Sequence, residues 1–148
     1  MNKKYMKIAL KEAEKAYKKG DIPVGAVIVK NDNVISRAHN KKEKDKNAIK
    51  HAEIIAIEKA CKKLKTWHLE DCVLYTTLEP CMMCCGAIIQ SRIRTLVYGT
   101  TNAKFGYVES MGNLLNNSKN NHKVNIISGI KKDESSELLI SFFKNKRN

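Results

Sequence analysis

Residues 72–84 have the sequence CVLYTTLEPCMMC, in which a short apolar segment runs into a proline and then into two cysteines. The apolar residues 72–76 predict a strand, and Pro80 suits the first position of a following helix. Two residues spaced like Cys81 and Cys84 lie on one face of a helix, and the helix dipole at this end favours thiolates. We therefore expect a strand–helix unit that presents two thiolates together.

The rest of the chain alternates between helical and strand patterns. Apolar residues at helical spacing predict further helices over residues 3–19, 51–64 and 133–146, and apolar or alternating runs predict strands over residues 23–29, 34–38, 96–98 and 124–127. This order predicts an α/β fold with three layers, α/β/α, in which a mixed five-stranded sheet has helices on both faces. No repeat or Pro/Gly/Ser-rich linker divides the sequence, so we expect one domain over residues 1–148.

Two connections lack regular periodicity. Residues 41–50 are highly charged and are expected to form a solvated loop, with Asn47 as a cap for the helix that follows. Residues 100–123 are rich in Asn, Gly and Ser, and we expect loop with some helix there.

The composition excludes several classes of protein. The chain has 148 residues, of which 43% are hydrophobic and 29% charged, so it is neither a long disordered chain nor a collagen-like one. No run of apolar residues is long enough to span a membrane, and the first residues lack the apolar core of a secretory signal. Five unevenly spaced cysteines favour a metal site in a reducing cytoplasm over disulfides.

The net charge of +13 has two compatible interpretations. It can be the electrostatic footprint of a protein that binds a polyanion, most simply nucleic acid. It can also reflect an AT-rich genome, because Lys, Asn and Ile have AT-rich codons. Only four of the 28 basic residues are Arg, which weakens any expectation of bidentate contacts to bases or phosphates. Charge alone therefore does not determine the function.

The tripeptide His51-Ala52-Glu53 supplies the residues that complete a metal site with Cys81 and Cys84. Two thiolates and an imidazole are a ligand set for Zn²⁺, and three protein ligands leave the fourth position to water. His51 and Glu53 can converge only at a helix N-terminus, where the histidine still lies partly in the loop. Glu53 would then sit beside the water without binding the metal, in a position to exchange its protons.

A closed structural zinc site is the alternative for the same residues. It requires a fourth ligand from Cys85, Cys72, Cys61 or His68. Cys85 would point about 100° away from Cys84 on a helix, and a closed site leaves Glu53 without a role. We therefore favour the open, catalytic site.

Motifs along nearly the whole chain resemble those of the bacterial tRNA adenosine deaminases in the cytidine deaminase superfamily. They are Ile22-Pro23-Val24-Gly25-Ala26-Val27-Ile28-Val29, Asn40, His51-Ala52-Glu53, Thr77-Leu78-Glu79-Pro80-Cys81-Met82-Met83-Cys84, Ser91-Arg92-Ile93, Tyr98-Gly99, Lys104 with Gly106, Ser110, Asn121-His122 and Phe142-Phe143. The zinc signature is shared by the superfamily. The ends of the chain narrow the resemblance to the tRNA-acting branch.

This resemblance implies a residue-by-residue assignment of the site. His51, Cys81 and Cys84 would bind one Zn²⁺ per chain, with Glu53 as proton shuttle, Asn40 as a hydrogen-bonding partner of the nucleoside, and Ile22, Val24 and Ala52 in the wall of the base pocket. It also implies a homodimer whose substrate is the wobble adenosine of an arginine tRNA. Zinc hydroxide would attack C6 of the unstacked adenine while Glu53 protonates N1, and ammonia would leave to give inosine.

The RNA contacts that the resemblance implies lie in two segments. One holds Asn102, where the family usually has Asp, and Lys104; the other is the C-terminal helix and tail with Phe143, Lys146 and Arg147. The helix pattern also places Leu138, Leu139, Phe142 and Phe143 on one apolar face.

Two rival functions remain open at this point. One is a deaminase of free guanine or cytosine from the same superfamily, which the basic charge and the Phe-Phe-Lys-Asn-Lys-Arg end disfavour. The other is a non-catalytic RNA-binding protein with structural zinc, which leaves Glu53 unexplained.

Overall fold

Five strands form one sheet between two layers of helices in the computed structural model, which describes residues 3–146. In chain order the elements are α1 (Lys3–Lys18), β1 (Gly25–Lys30), β2 (Asn33–His39), α2 (Ala52–Leu64), β3 (Cys72–Leu78), α3 (Met82–Ser91), β4 (Thr95–Thr100), a 3₁₀ turn (Leu114–Asn116), β5 (Asn125–Ile127) and α4 (Lys132–Lys146). The described helices include none long and apolar enough to cross a membrane.

The sheet has the strand order β2-β1-β3-β4-β5 and is mixed. Strand β1 is antiparallel to both β2 and β3, whereas β3, β4 and β5 run parallel. Asn31 and Asp32 join β1 to β2 with positive φ angles of 49° and 61°, a conformation that these two residue types tolerate in tight hairpins. The predicted mixed five-stranded sheet is confirmed.

Helices α1 and α4 pack together on one face of the sheet, and α2 and α3 cover the other. The first face is filled by Tyr5, Met6, Ala9, Val27, Val29, Tyr75 and Val97. Here α1 lies directly on β1, because a Cβ at Gly25 would stand only 1.8 Å from the carbonyl oxygen of Ala9. The larger core, under α2 and α3, includes Ile28, Ile55, Leu74, Ile88 and Leu96. The predicted α/β/α layering is therefore confirmed.

Several local predictions are wrong in detail. Pro80 is not the first residue of α3, because Cys81 is the N-cap and the helix begins at Met82. Asn47 does not cap α2; its side-chain oxygen accepts the N–H of Ile49 within the preceding loop, and His51 is the N-cap.

The apolar face predicted for α4 is also wrong at one position. Phe142 is buried but Phe143 is 45% exposed, because neighbouring residues of a helix point about 100° apart. Leu138 and Leu139 are half-buried, so α4 covers the sheet with a narrower face than predicted.

Candidate active site

The N-termini of α2 and α3 meet at the edge of the larger core and bring the predicted metal ligands together. His51 and Cys81 are the N-caps of the two helices, and both have extended backbone with ψ near 152° and 177°. Neither side chain makes a capping hydrogen bond to its own helix, although the extended backbone of an N-cap residue permits one. The imidazole of His51 instead faces the sulfur of Cys81, and the predicted position of His51, half in the loop, is correct.

The three candidate ligand atoms form a compact triangle. Nδ1 of His51 lies 3.6 Å from Sγ of Cys81 and 3.6 Å from Sγ of Cys84, and the three atoms all lie within 4.8 Å of one another. A tetrahedral zinc ion with ordinary Zn–N and Zn–S bonds holds its nitrogen and sulfur ligands about 3.6 Å apart. The donor set and its spacing thus fit Zn²⁺.

Side chains that could close this site are placed elsewhere. Among residues 3–146, one group of three or more His, Cys, Asp or Glu side chains has ligand atoms close enough to share a metal ion. Its members are His51, Cys81 and Cys84. Sγ of Cys85 points to the carbonyl oxygen of Pro80 at 3.7 Å, and His68 pairs with Glu70 at the surface. Cys72 is buried in the larger core and Cys61 packs against it. The described residues therefore favour three protein ligands over four.

The electrostatics of the two sulfurs differ. A hydrogen bond from the Cys84 thiol, with a further contribution from His51, lowers the pKa of Cys81 to about 4 against the effect of burial. The pKa of Cys84 is raised, because its proton is held in that hydrogen bond and because the group is buried. Burial, followed by the nearby negative groups of Cys81, Glu53 and Glu79, raises the pKa of Cys85 to about 12. Cys81 is therefore the sulfur that ionises most readily.

Glu53 lies in the first turn of α2, beside the ligand triangle. Its residue surface is only 4% exposed, and this burial raises the pKa of its carboxyl to about 7, although its own backbone N–H and the positive charge of His51 oppose the shift. A carboxyl group of this kind can both accept and release a proton near neutral pH.

A cavity of about 360 Å³ opens onto this site. Its lining includes His51, Glu53 and Cys81, all four predicted substrate-binding residues (Ile22, Val24, Asn40, Ala52), and also Lys42, Ala48, Leu78, Glu79, Met83, Asn102 and Phe105. Asn40 is oriented by two hydrogen bonds: its Nδ2 donates to the carbonyl of Ile22 at 3.2 Å, and its Oδ1 accepts the N–H of Lys42 at 3.1 Å. The cavity lies in the lower part of the size range for small-molecule sites.

The predicted RNA contacts are divided between two regions. Asn102 lines the cavity, but its side chain serves the loop by accepting the N–H of Phe105, and Lys104 is exposed in the same loop. Phe143 and Lys146 lie on α4, which belongs to the opposite helix layer, and neither lines the cavity. Arg147 lies outside the described residues.

Sequence reasoning gave no role to Glu79, which is 1% exposed. Its carboxylate accepts hydrogen bonds from the backbone N–H groups of Asn102, Val108, Glu109 and Ser110 and from the hydroxyl of Ser110. A Cβ at Gly106 would lie 2.3 Å from the Glu79 carboxyl carbon, so the loop closes tightly over the charge. The signal in the sequence was an acidic residue at the end of a buried strand, directly before Pro80.

The chain is similar to known deaminases along nearly its whole length. A family model described as MafB19-like deaminase matches residues 1–147. A tRNA-specific adenosine deaminase of Bacillus subtilis (strain 168) is 46% identical over 143 residues, covering 97% of this chain and 89% of that protein. One from Aquifex aeolicus (strain VF5) is 46% identical over 149 residues, covering 100% of this chain and 98% of its own. A structure from a study of A-to-I editing by tRNA:A34 deaminases at the wobble position of transfer RNA has a TM-score of 0.88 at 39% identity, covering 92% of this chain and 99% of that chain.

Proposed function

The chain belongs to the tRNA-specific adenosine deaminases of the MafB19-like deaminase family, and we propose that it hydrolyses adenosine to inosine at the wobble position of tRNA. The supporting observation is one arrangement: three zinc-type ligands, a buried carboxylate and an adjoining cavity at the meeting point of two helices. A structural zinc site requires neither the carboxylate nor the cavity.

His51, Cys81 and Cys84 are the proposed ligands of one Zn²⁺ per chain. When bound, the ion supplies a Lewis acid that lowers the pKa of a water molecule to about 7. The three side chains arrive from the N-caps and first turn of two helices, so their positions are fixed by the main chain. This rigidity keeps the ligand set fixed during the reaction.

Glu53 is the proposed proton carrier. Deamination adds water across C6 and N1 of adenine and then releases ammonia, so one proton of the water must move to N1 and the second must later move to the leaving amino group. Glu53 faces the cavity beside the ligand triangle but is not part of it. It can carry the first proton to N1 as the C6–O bond forms, and then carry the proton of the new C6 hydroxyl to the amino group as the C6–N bond breaks. Water and adenosine thus give inosine and ammonia with no other reactant.

The remaining lining residues bind and orient the base. Ile22, Val24 and Ala52 offer apolar contact to the purine, and Asn40, held by its bonds to Ile22 and Lys42, keeps one amide hydrogen for the nucleoside. A cavity of about 360 Å³ suits one unstacked nucleoside, and a single-stranded anticodon loop provides one at low cost.

The finer parts of the proposal concern partners and location. The family resemblance supports an arginine tRNA as substrate and a homodimer as the working unit, and the exposed Met82 and Met111 offer apolar surface to a second copy. The net charge of +13 supports attraction to the RNA backbone. Free thiols in a zinc ligand set suit a reducing compartment, so we place the protein in the cytoplasm as a single-domain enzyme.

The test is incubation of the zinc-loaded protein with an unmodified arginine tRNA, followed by sequencing for A-to-I change. We expect inosine at the wobble base alone, and we expect Glu53→Gln to abolish it while retaining one zinc per chain. Release of ammonia from free guanine or cytosine, but not from tRNA, would instead indicate a free-base deaminase. Unchanged function of Glu53→Ala would indicate a non-catalytic RNA-binding protein.

A further inference from the structure

Phe105 stands out at the cavity because it is aromatic and unusually exposed. It is 65% exposed although it lines the same cavity as His51 and Glu53. Its ring also has no ring–ring or cation–π partner within residues 3–146. An apolar ring held open at the mouth of a site is available to an apolar face of the substrate.

The main chain holds Phe105 in place from both sides. Its N–H donates to Oδ1 of Asn102 at 3.2 Å, and the N–H of Gly106 donates to the carbonyl of Asn102 at 2.8 Å. Gly106 also forms an isolated β-bridge with Cys81, so the loop is joined directly to a proposed zinc ligand. The Glu79 carboxylate fixes the flanking N–H groups of this loop. The ring is therefore presented from a loop whose backbone is hydrogen-bonded on both sides of Phe105, which lowers the cost of ordering it on binding.

The surroundings of the ring match a nucleotide more closely than an isolated base. Lys42 also lines the cavity, and the exposed Lys104 precedes Phe105 in the loop, so two positive charges accompany the apolar ring. When the target adenine is inside the cavity, the adjoining nucleotides of the strand must lie at its mouth. Each of these has a π-face for stacking and a phosphate for a lysine.

We infer that Phe105 forms a stacking subsite for the nucleobase adjacent to the target adenosine, an inference that rests on the proposed function. The subsite selects substrates in which the target lies within a single strand, because a free nucleoside offers no neighbouring base. Stacking on an aromatic side chain contributes about 1–3 kcal/mol per base, which corresponds to a change of about 5- to 150-fold in kcat/KM.

The experiment compares anticodon stem-loop RNAs that differ at one nucleotide. In one RNA the loop is intact, and in two others the nucleotide on the 5′ or the 3′ side of the target is abasic. The wild-type protein should lose about 5- to 150-fold in kcat/KM on one of the abasic RNAs. Phe105→Ala should have a kcat/KM on the intact RNA that is lower than that of the wild type by the same factor. Its kcat/KM should fall little further on the abasic RNA to which the wild type is sensitive. Phe105→Trp should restore the wild-type pattern.

Two controls separate stacking from other effects. Phe105→Leu keeps apolar bulk but not the ring, and it should behave as Phe105→Ala does. Trp67→Ala removes another exposed aromatic residue, which stacks on His68 outside the cavity lining, and it should leave the discrimination unchanged. The unfolding midpoint of each Phe105 variant should equal that of the wild type, because the ring is exposed. Equal losses by Phe105→Ala on intact and abasic RNAs, or no loss at all, would overturn the inference.

A binding measurement separates this inference from the proposed function. The fluorescence of 2-aminopurine, placed at the nucleotide beside the target, should be quenched on binding to the wild type and to Phe105→Trp but not to Phe105→Ala. Quenching without formation of inosine would retain the stacking subsite and refute the proposed reaction. Formation of inosine by the wild type, with quenching that is the same for Phe105→Ala, would refute the subsite alone.

Discussion

Replacing Glu79 with glutamine tests how the loop beside the cavity is held, because the side chain keeps its shape and loses its charge. In the native protein Oε2 accepts the N–H groups of Val108, Glu109 and Ser110 at 3.0, 2.8 and 3.0 Å. Oε1 accepts the N–H of Asn102 at 3.0 Å and the hydroxyl of Ser110. Glutamine has one carbonyl oxygen, so if it takes the position with three donors, its amide N–H₂ faces the N–H of Asn102.

The cost follows from these bonds. An N–H of Asn102 left without an acceptor costs about 1–3 kcal/mol. Charge-assisted hydrogen bonds are roughly twice as strong as neutral ones, so the three retained bonds together lose about 2–4 kcal/mol. We therefore expect Glu79→Gln to lower the free energy of unfolding by at least about 3 kcal/mol, a large share of the 5–15 kcal/mol that is typical of a domain.

Urea unfolding at neutral pH measures this loss as a lower midpoint with an unchanged slope. The matched control is Glu58→Gln, the same chemical change at a carboxylate that is 57% exposed and pairs with Lys50 at 3.2 Å. Exposed ion pairs contribute about 0–1 kcal/mol, so this control should remain close to the wild type. If Glu79→Gln were no less stable than Glu58→Gln, the carboxylate would not be what holds the loop.

The pH dependence of the stability difference between wild type and Glu79→Gln is a second test of the same assignment. Burial opposes ionisation of Glu79, but the N–H groups of Glu109, Asn102 and Ser110 and the hydroxyl of Ser110 outweigh it, so the pKa lies below its ordinary value of 4.5. A lowered pKa in the folded state stabilises the protein above the unfolded pKa, and this contribution is lost as pH falls through the folded pKa. The stability difference between wild type and Glu79→Gln should be constant above about pH 5 and narrow in more acidic solution. A difference that widens in acid would contradict the assignment.

Three further outcomes follow from the fold, the metal site and the charge. Cys84→Ala should lose bound zinc and stability, whereas Cys85→Ala should retain one zinc per chain by elemental analysis, since Cys85 lies outside the ligand triangle. Gly25→Ala should lower the free energy of unfolding, measured by urea titration, by at least about 2 kcal/mol, because its Cβ would lie 1.8 Å from the Ala9 carbonyl oxygen. Gly86→Ala is the control and should show no loss, because a Cβ there has no described atom within 4 Å. Affinity for stem-loop RNA should fall with salt with a log–log slope of about −3 to −4 if about five phosphates are contacted, and a flat response would assign the charge of +13 to codon usage.

The ligand triangle could be predicted from sequence because its chemistry depends on residue type and short spacing. Cys81 and Cys84 lie within one turn, and His51 is followed two residues later by the carboxylate that an open site needs. The helix boundaries could not be predicted as well. Asn47 is the better N-cap by residue type, but its side chain bonds within the preceding loop, and the N-cap is His51, whose imidazole lies 3.6 Å from both thiols. Tertiary geometry therefore outweighs capping preference at this point.

The role of Glu79 could not be predicted, because its partners lie far along the chain. The four N–H groups belong to residues 102–110, which follow Glu79 by 23 to 31 positions and have no periodic pattern. The same loop carries Phe105, whose significance depends on facing the cavity and not on its sequence neighbours. Local patterns predict helices and strands, whereas irregular loops are fixed by contacts that appear only in three dimensions.

Two buried carboxylates at this site have pKa values that their surroundings shift in opposite directions. Glu53 and Glu79 both line the cavity and both have almost no exposed surface. Burial raises the pKa of Glu53 to about 7, with its own N–H and the charge of His51 as partial compensation. Glu79 is buried too, but four N–H groups and a hydroxyl keep its pKa low. A carboxylate held in one charge state can organise a loop but is a poor proton carrier, whereas Glu53, with fewer donors, suits the proposed proton transfer. The supply of hydrogen-bond donors therefore distinguishes the two buried carboxylates.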